Sequence, residues 1–277
     1  MKKIVIFTDL DGTLLDYSTY SFDAALPALQ LIKERNIPLI ICSSKTRKEI
    51  EYYRIKLSNR HPFISENGGG IFISKTYFRF QILDSGFKVK AEKNADYYLI
   101  KLGAKYSDLR KVLSQLRSEG FRVRGFGDMS AGEIRDLTSM TFEEAEMAKE
   151  RDFDEPFIFL GNNEGTQKML NSIKAKGFNC TQGRFFHILG DSDKGKAVSI
   201  LIDLYKRERG DVLTIAIGDS PNDIPMLEKV DHPVIVQKPD GSYDTQIDID
   251  IPHLTKAEGI GPEGWNKAAF SLIMHLG

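Results

Sequence analysis

The sequence predicts an α/β protein whose parallel sheet carries an inserted second α/β unit. Three observations lead to this fold class. Short, fully apolar runs alternate with stretches of helical spacing, which is typical of a parallel sheet covered on both faces. The alternation of apolar runs and helical spacing in residues 1–81 occurs again in residues 188–277. The chain of 277 residues is long for one compact domain and sufficient for two.

The composition is that of a globular protein and argues against several functions. Hydrophobic residues make up 41% of the chain and charged residues 28%, so we expect a sizeable core. The formal net charge of -1 argues against binding nucleic acid through bulk charge. No apolar segment approaches the roughly 20 residues that a membrane span needs. Because Cys42 and Cys180 are far apart in the chain, we expect reduced thiols in a cytoplasmic protein.

The N-terminal segments alternate between strand and helix. IVIFT is predicted to be a buried strand, because the run is short and β-branched and has no helical period. SFDAALPALQLIKERNI is predicted to be a helix with Ser21 or Asp23 near its start and Pro27 in or near its first turns. IPLIICSS is a second strand and KTRKEIEYYRIKL a second helix. PFISENGGGIFI contains two short apolar runs around a glycine-rich turn.

The middle of the chain, from about residue 82 to residue 187, is predicted to form its own unit of sheet and helices. ADYYLIKLG is a strand candidate, and SDLRKVLSQLRSEG is a capped helix that ends on Gly120. FRVRGFGD is predicted to be a strand that leads into a glycine loop. In TFEEAEMAKERDF, Thr141 and Glu144 have the spacing of a capping box. EPFIFLG, a helix from about Glu164 to Lys176, and GRFFHIL follow.

The last part of the chain is predicted to complete the first unit. DKGKAVSILIDLYKRERG and GPEGWNKAAFSLIMHLG have the spacing of helices. PVIVQKP is predicted to be a strand. VLTIAIGDSPND is an apolar strand that runs straight into an acidic turn. The simplest architecture is therefore one α/β domain interrupted by a second.

Polar side chains follow three of the predicted strands at the point where each strand ends. Asp9 and Asp11 follow the first strand, Ser43 the second, and Asp219 and Asp223 the strand near the C-terminus. Ligands of open α/β sheets bind beyond the carboxyl ends of the strands, so these side chains converge if the strands are neighbours. Four acids at one edge require a cation, and oxygen ligands without His or Cys suit Mg²⁺.

Each of these pieces also has a simpler interpretation. DLDGT alone is equally well a turn. A serine such as Ser43 after a strand is a routine helix cap, and GDSPND alone could be a loop of turn-forming residues. Lys194 alone could be a solvated lysine at a helix start. The functional interpretation depends on their occurrence together and in this order.

The same residues resemble a known family. DLDGT after a strand, Ser43, Lys194 and GDSPND resemble the four motifs of the haloacid dehalogenase superfamily of phosphatases, and the insertion between Ser43 and Lys194 resembles the large cap of one branch. Within that branch, SSKTRKEIEYYR, PFISENGGGIFI, GRFFHI and GPEGW are similar to the mannosyl-3-phosphoglycerate phosphatases. The resemblance implies a Rossmann-like parallel-sheet core of residues 1–81 and 188–277, with an inserted α/β cap of residues 82–187.

The resemblance also implies roles for the residues of these motifs. Asp9 would be the nucleophile that forms an aspartyl-phosphate, and Asp11 would protonate the leaving oxygen and then activate water. Ser43 and Lys194 would hold phosphate oxygens. Mg²⁺ would be held by a set of oxygen ligands and their supports: Asp9, the carbonyl oxygen of Asp11, Asp219 and Asp223, with Thr13 and Asn222 in support.

Substrate recognition is expected from the cap and from two loops of the core. The guanidinium of Arg184 suits the carboxylate of a glycerate, and His187 lies beside it in sequence; a surface arginine and a packed histidine are the alternative. Lys45 and Arg47 could face an anionic substrate or could be surface charges of a helix. The residues that could bind sugar hydroxyls are those of the glycine-rich turn: Glu66, Asn67 and Gly68.

These expectations define a Mg²⁺-dependent phosphatase with a small-molecule substrate. The resemblance implies that it converts mannosyl-3-phosphoglycerate to mannosylglycerate, a compatible solute; the alternatives are the glucosyl analogue and other sugar phosphates. A phosphomutase of the same cap branch is a second enzyme class. A receiver-like domain that accepts phosphate as a signal is a non-enzymatic alternative, but the position of Asp11 and the large cap favour the phosphatase.

Overall fold

The computed structural model describes residues 3–79, 91–93, 96–247 and 251–276. The strands, in chain order, are β1 Lys3–Thr8, β2 Leu39–Cys42, β3 Phe63–Ser65, β4 Gly70–Ser74, β5 Ala91–Lys93, β6 Tyr97–Lys101, β7 Val123–Gly125, β8 Asp154–Phe159, β9 Asn179–Gln182, β10 Phe186–Leu189, β11 Val212–Gly218, β12 His232–Gln237 and β13 Thr255–Ile260. The helices are α1 Leu26–Glu34, α2 Arg47–Lys56, α3 Tyr106–Ser118, α4 Ala131–Thr138, α5 Phe142–Ala148, α6 Asn163–Ala175, α7 Lys194–Arg209, α8 Ile224–Leu227 and α9 Pro262–Leu276.

The larger of the two sheets has the strand order β13-β12-β11-β1-β2-β3-β4-β6-β5. The strands from β13 to β3 run parallel, and β4, β6 and β5 are antiparallel to their neighbours. The predicted α/β class with a mainly parallel sheet is confirmed. β1 lies between β11 and β2. The carboxyl ends of these three strands, each followed by the predicted polar residues, therefore lie at one edge of the sheet.

Both faces of the large sheet are buried, which explains its unbroken apolar strands. Ile4 and Ile6 of β1 pack into a cluster with α1, α2 and α9. Val5 and Phe7 point to the other face and pack with α7 and α8. Fully burying one such side chain stabilises the fold by about 1.5–3 kcal/mol.

The closing helix holds the end of β1 in place. Trp265 of α9 is fully buried, and its indole Nε1 donates a hydrogen bond of 2.9 Å to Thr8 Oγ1. Thr8 is the last residue of β1 and directly precedes Asp9. The core therefore fixes the strand end at which the acidic residues begin.

The smaller sheet is antiparallel and has the order β7-β8-β10-β9. Its apolar face packs on α3 and α6 through Leu109, Leu113, Met169 and Ile173. The short helices α4 and α5 form a further cluster around Ile134. Both helices begin with capping boxes, and the box at the start of α5 uses Thr141 and Glu144 as the sequence predicts.

One strand that the sequence analysis assigns to the second unit belongs to the large sheet. The predicted boundary at residue 82 lies outside the described residues. The strand in ADYYLIKLG, however, is β6, which pairs with β4 of the large sheet, with Phe72 opposite Leu99. β6 covers β4, which would otherwise be an exposed apolar edge of the sheet. We therefore propose that the second unit begins after Lys101 and ends with β10.

A partly buried histidine of the large sheet's unit makes the stability of the protein pH-dependent. His61 Nδ1 lies 2.6 Å from the hydroxyl of Tyr77, which in turn lies 2.7 Å from the hydroxyl of Tyr205. Burial, together with the charges of Arg209 and Arg54, lowers the pKa of His61 from 6.5 to about 4. The folded protein therefore keeps this ring neutral at pH values where the unfolded chain protonates it.

The unfolded state binds the extra proton, so stability is lost as the pH falls below 6.5 towards 4. We expect His61 to lower the free energy of unfolding by about 2 kcal/mol between pH 7 and pH 5. Urea unfolding of wild type and His61→Gln at both pH values measures the difference. An NMR titration of the His61 ring with a midpoint above 6 would contradict the prediction.

Candidate active site

Three acidic side chains meet at the carboxyl edge of the large sheet. Asp9, Asp219 and Asp223 each place a carboxylate oxygen within 4.8 Å of the other two. Asp9 follows β1, and the other two follow its neighbour β11. From the strand ends, the sequence predicts a convergence of four acids at this edge: these three and Asp11. The carboxylate of Asp11 is not one of the three, because it turns towards Lys45.

The two loops that carry these acids approach each other closely. Gly12 has a positive φ of 78°, and a Cβ there would lie 2.9 Å from Asp219 Oδ2. The hydroxyl of Thr13 donates a hydrogen bond of 2.8 Å to the other oxygen, Asp219 Oδ1. In the second loop, Asp223 Oδ2 accepts hydrogen bonds from the backbone N–H groups of Asp219 and Ser220. A side chain at residue 12 would therefore push the loops apart.

Lys194 is the cation within this cluster. Its side chain is fully buried, and Nζ lies 2.7 Å from both Asp9 Oδ1 and Asp223 Oδ1. It is the first residue of α7, whose N-terminus is capped by Asp193. The positive charge of one lysine does not balance the negative charges of three carboxylates. Burial accordingly raises the pKa of Asp9 to about 7, against the lowering effect of Lys194, and raises that of Asp219 well above its ordinary value.

The donor set fits a hard divalent cation. The three carboxylates offer oxygen ligands, the type that Mg²⁺, Ca²⁺ and Mn²⁺ prefer. A divalent cation would also supply the positive charge that the single lysine lacks. The described residues around the cluster thus fit a hard divalent cation, the class to which the predicted Mg²⁺ belongs.

Asp11 and Lys45 form a second ion pair beside the first cluster, in which the lysine is buried and Asp11 is partly exposed. Lys45 Nζ lies 3.0 Å from Asp11 Oδ2 and 3.2 Å from Glu49 Oε1, and only 3% of the lysine side chain is exposed. The other Glu49 oxygen accepts the N–H of Thr46 and completes the capping box of α2. Burial raises the pKa of Asp11 even though Lys45 opposes it, which suits a group that must carry a proton. Lys45 is therefore not a surface charge of a helix.

Ser43 lies one strand away, at the end of β2. It is fully buried, its N–H donates to Ile64 O, and its hydroxyl oxygen accepts the N–H of Lys45. Asn67 N in turn donates to the carbonyl oxygen of Ser43. The strand end thus holds Ser43 and Lys45 in fixed positions beside β1.

A cavity of about 450 Å³ lies above these residues and is closed from the other side by the smaller sheet and its helices. Its wall includes seven of the residues predicted from the sequence: Asp9, Asp11, Lys45, Arg184, His187, Asp219 and Asn222. Two residues that the sequence did not indicate, Arg151 and Lys238, add positive charge to the wall. The volume is in the range of small-molecule sites.

Four predicted substrate ligands are not among the described residues of this wall. Arg47 is half-exposed and pairs with Glu51 one helical turn away. Glu66, Asn67 and Gly68 are buried behind the wall, where a Cβ on Gly68 would lie 2.1 Å from Asp193 O. Contact between the glycine-rich turn and a sugar would require this turn to rearrange.

Glu66 instead joins the two units. Its carboxylate accepts hydrogen bonds from the backbone N–H groups of Asp152, Phe153 and Asp154, at the start of β8. Burial raises the pKa of Glu66 to about 8, against the lowering effect of Arg151. These contacts favour a structural role for Glu66.

Arg184 holds a loop of the core against the second unit. Its Nη1 and Nη2 each donate a hydrogen bond of 2.9 Å, to the carbonyl oxygens of Thr138 and Leu137. The hydroxyl of Tyr20 donates to the same Thr138 oxygen at 2.9 Å, and the ring of Tyr17 lies 5.0 Å below the guanidinium. If Arg184 binds a substrate carboxylate as predicted, it must use the guanidinium N–H groups that do not donate to Thr138 and Leu137.

Comparison with known proteins identifies the family of the chain. The model of the haloacid dehalogenase-like hydrolases matches residues 6–241. A glucosyl-3-phosphoglycerate/mannosyl-3-phosphoglycerate phosphatase of Methanococcoides burtonii is 48% identical over 98% of this chain and 97% of its own length. A mannosyl-3-phosphoglycerate phosphatase of Pyrococcus furiosus is 39% identical over 84% of this chain and 90% of its own length.

A crystal structure of a Thermoplasma acidophilum protein has the same fold. It superposes with a TM-score of 0.67 at 16% identity and covers 99% of this chain and 100% of its own. No helix in the described ranges is long and apolar enough to cross a membrane. By its sequence match over most of its length, this chain belongs to the haloacid dehalogenase-like hydrolases.

Proposed function

We propose that the protein is a Mg²⁺-dependent phosphatase that hydrolyses mannosyl-3-phosphoglycerate and glucosyl-3-phosphoglycerate to the corresponding glycosylglycerates. The observation that carries the proposal is Asp9, which pairs with the buried Lys194 and lines the floor of a cavity that Asp11 also lines. The two relatives of 48% and 39% identity bear the names of such phosphatases.

The chemistry assigned to the chain has two steps. An oxygen of Asp9 attacks phosphorus, the bond from phosphorus to the glycerate oxygen breaks, and protonated Asp11 gives its proton to that oxygen. Asp11, now ionised, then takes a proton from water, whose oxygen attacks the aspartyl-phosphate. The bond between phosphorus and Asp9 breaks and inorganic phosphate leaves, with Asp9 restored.

Lys194 and the oxygen cluster serve the transferring phosphoryl group. Lys194 can bind a phosphate oxygen with its ammonium group while it holds Asp9 in position, and Ser43 can donate its hydroxyl. Mg²⁺, held by Asp9, Asp219 and Asp223, would supply positive charge that stabilises the transferring group. Phosphate monoesters hydrolyse so slowly in water that acceleration of up to about 10²¹-fold is needed.

The cavity wall supports a substrate with two anionic groups and a sugar. Lys45, Arg151 and Lys238 bring positive charge to the wall in addition to Arg184. Lys45 lies beside Asp11, and therefore within reach of a carboxylate close to the leaving oxygen. Aromatic side chains of the wall offer apolar faces for a sugar ring: Tyr17, Tyr20, Phe126 and Phe185.

The proposal is tested by phosphate release with Mg²⁺ across a panel of substrates. The panel is mannosyl-3-phosphoglycerate, glucosyl-3-phosphoglycerate, 3-phosphoglycerate, mannose 6-phosphate and glucose 1-phosphate. We expect the two glycosyl-phosphoglycerates to exceed the others by at least about 100-fold in kcat/KM, because only they fill the whole cavity. A chelator should abolish activity, and added Mg²⁺ should restore it. Equal activity on the simple sugar phosphates would contradict the substrate assignment.

A further inference from the structure

Asp154 is a buried carboxylate on which three side chains converge. It begins β8 and has no exposed surface. His187 Nδ1 lies 3.0 Å from both of its oxygens, Arg151 Nη2 donates to Oδ1 at 2.9 Å, and Asn67 Nδ2 donates to Oδ2 at 2.6 Å. Burial alone would raise the pKa of Asp154, but the positive charge of Arg151 and the hydrogen bonds from His187 and Asn67 lower it. Asp154 is therefore an ionised acceptor.

The contact between Asp154 and His187 affects the substrate cavity, because His187 lies in the cavity wall. His187 lies on β10, is 5% exposed and forms part of the cavity wall. Because an ionised carboxylate can only accept, the proton of the neutral ring sits on Nδ1. Nε2, on the other edge of the ring, is then left as a hydrogen-bond acceptor for a molecule in the cavity.

The same network reaches the catalytic loops. Asn222 Nδ2 donates to Asn67 Oδ1 at 3.0 Å, and Ser220 Oγ donates to Asn222 Oδ1 at 2.6 Å. Arg151 Nη2 also donates to the carbonyl oxygen of Ser44, next to Ser43, at 2.7 Å. The carboxylate that holds His187 is thus tied to both the acidic loop and the end of β2.

We propose that His187 is a specificity residue that accepts a hydrogen bond from a hydroxyl of the substrate's glycosyl group, and that Asp154 is the positioning residue that fixes its tautomer and orientation. This proposal rests on the proposed function, and it identifies the residues of the site that recognise the sugar. A hydroxyl is the matching group because a neutral ring whose Nδ1 is occupied offers the cavity an acceptor and no donor.

The kinetic test compares substrates with and without the sugar. In Asp154→Asn and in His187→Ala, kcat/KM for the preferred glycosyl-phosphoglycerate should fall about 10- to 100-fold, mainly through KM. For 3-phosphoglycerate, which lacks the sugar, the change should stay below about 3-fold, because the lost contact is not made. The double variant should lose no more than either single variant, because both remove the same contact.

Glu155→Gln is the matched control. Glu155 follows Asp154 on the same strand and is equally buried, but it pairs with Arg110 and with the N–H of Gly127. Its substitution should leave the ratio of the two kcat/KM values unchanged. A purely structural role of Asp154 would lower activity on both substrates together, and this result would overturn the proposal. If Asp154→Asn does not fold, His187→Ala and His187→Gln still decide whether the ratio changes.

The tautomer provides a readout without substrate. In ¹⁵N-labelled wild type, NMR should show His187 protonated at Nδ1 only, and Asp154→Asn should remove this preference. A proton on Nε2 of the neutral wild-type ring would overturn the proposal. A wild type without activity on either glycosyl-phosphoglycerate would overturn the proposed function instead, and the tautomer would still decide the role of Asp154.

Discussion

The Asp9→Asn variant is expected to release phosphate at least about 10⁴-fold more slowly than wild type. An amide cannot attack phosphorus and leave again as a carboxylate does, so both chemical steps are lost. The fold should persist, because the change removes one negative charge from a cluster that a single lysine compensates. The variant should therefore melt at or above the wild-type temperature while its kcat falls.

The measurement is steady-state and single-turnover phosphate release with the preferred substrate. Asp16→Asn is the matched control, since Asp16 follows on the same loop but only accepts hydrogen bonds from the neighbouring Ser18 and Thr19. It should keep its activity within about 3-fold of wild type. An Asp9→Asn enzyme within tenfold of wild type would exclude Asp9 as the nucleophile.

The Lys194→Met variant should lose both stability and activity. Nζ of this fully buried lysine lies 2.7 Å from two carboxylates, and Met leaves both of them without a positive partner. Removing one partner of a buried ion pair costs about 3–5 kcal/mol of unfolding free energy. The loss of positive charge at the phosphoryl group should lower kcat by a further about 10²- to 10³-fold.

Urea unfolding in the presence of a chelator measures the first effect, and phosphate release with Mg²⁺ measures the second. Lys196→Met is the control on the same helix, because Lys196 is half-exposed and pairs with the exposed Asp191. Its unfolding free energy should change by less than about 1 kcal/mol. If Lys194→Met is as stable as Lys196→Met, the ion pairs of Lys194 contribute nothing to the fold.

The sequence predicts the acidic residues at the edge of the large sheet better than it predicts the other residues around the cavity. Asp9, Asp219 and Asp223 could be brought together from the sequence because they follow apolar runs, and parallel strands end at a common edge. The capping box of Thr141 and Glu144 is local in sequence and was equally visible. The same pattern at Thr46 and Glu49 could have identified Glu49, which the sequence interpretation missed.

The cap contacts depend on packing between segments that are distant in sequence. Asp154 connects residues 67, 151 and 187, and nothing in DFDEP distinguishes it from any acid that begins a strand. From the sequence, Glu66 and Asn67 of the glycine-rich turn are residues that could bind sugar hydroxyls. The structure turns them towards Asp154 and the chain before it instead. The pairing of β4 with β6 likewise depends on the open sheet edge at β4, which cannot be recognised from any one segment of the sequence.

The most direct measurement is the capture of a phosphorylated enzyme. The enzyme is mixed with mannosyl-3-phosphoglycerate and Mg²⁺, quenched in acid within one turnover, digested and mapped by mass spectrometry. We predict a phosphoryl group on the peptide that contains Asp9, formed before phosphate appears and absent from Asp9→Asn. Phosphate release with no phosphorylated peptide at any quench time, or a phosphoryl group on another residue, would contradict the proposed mechanism.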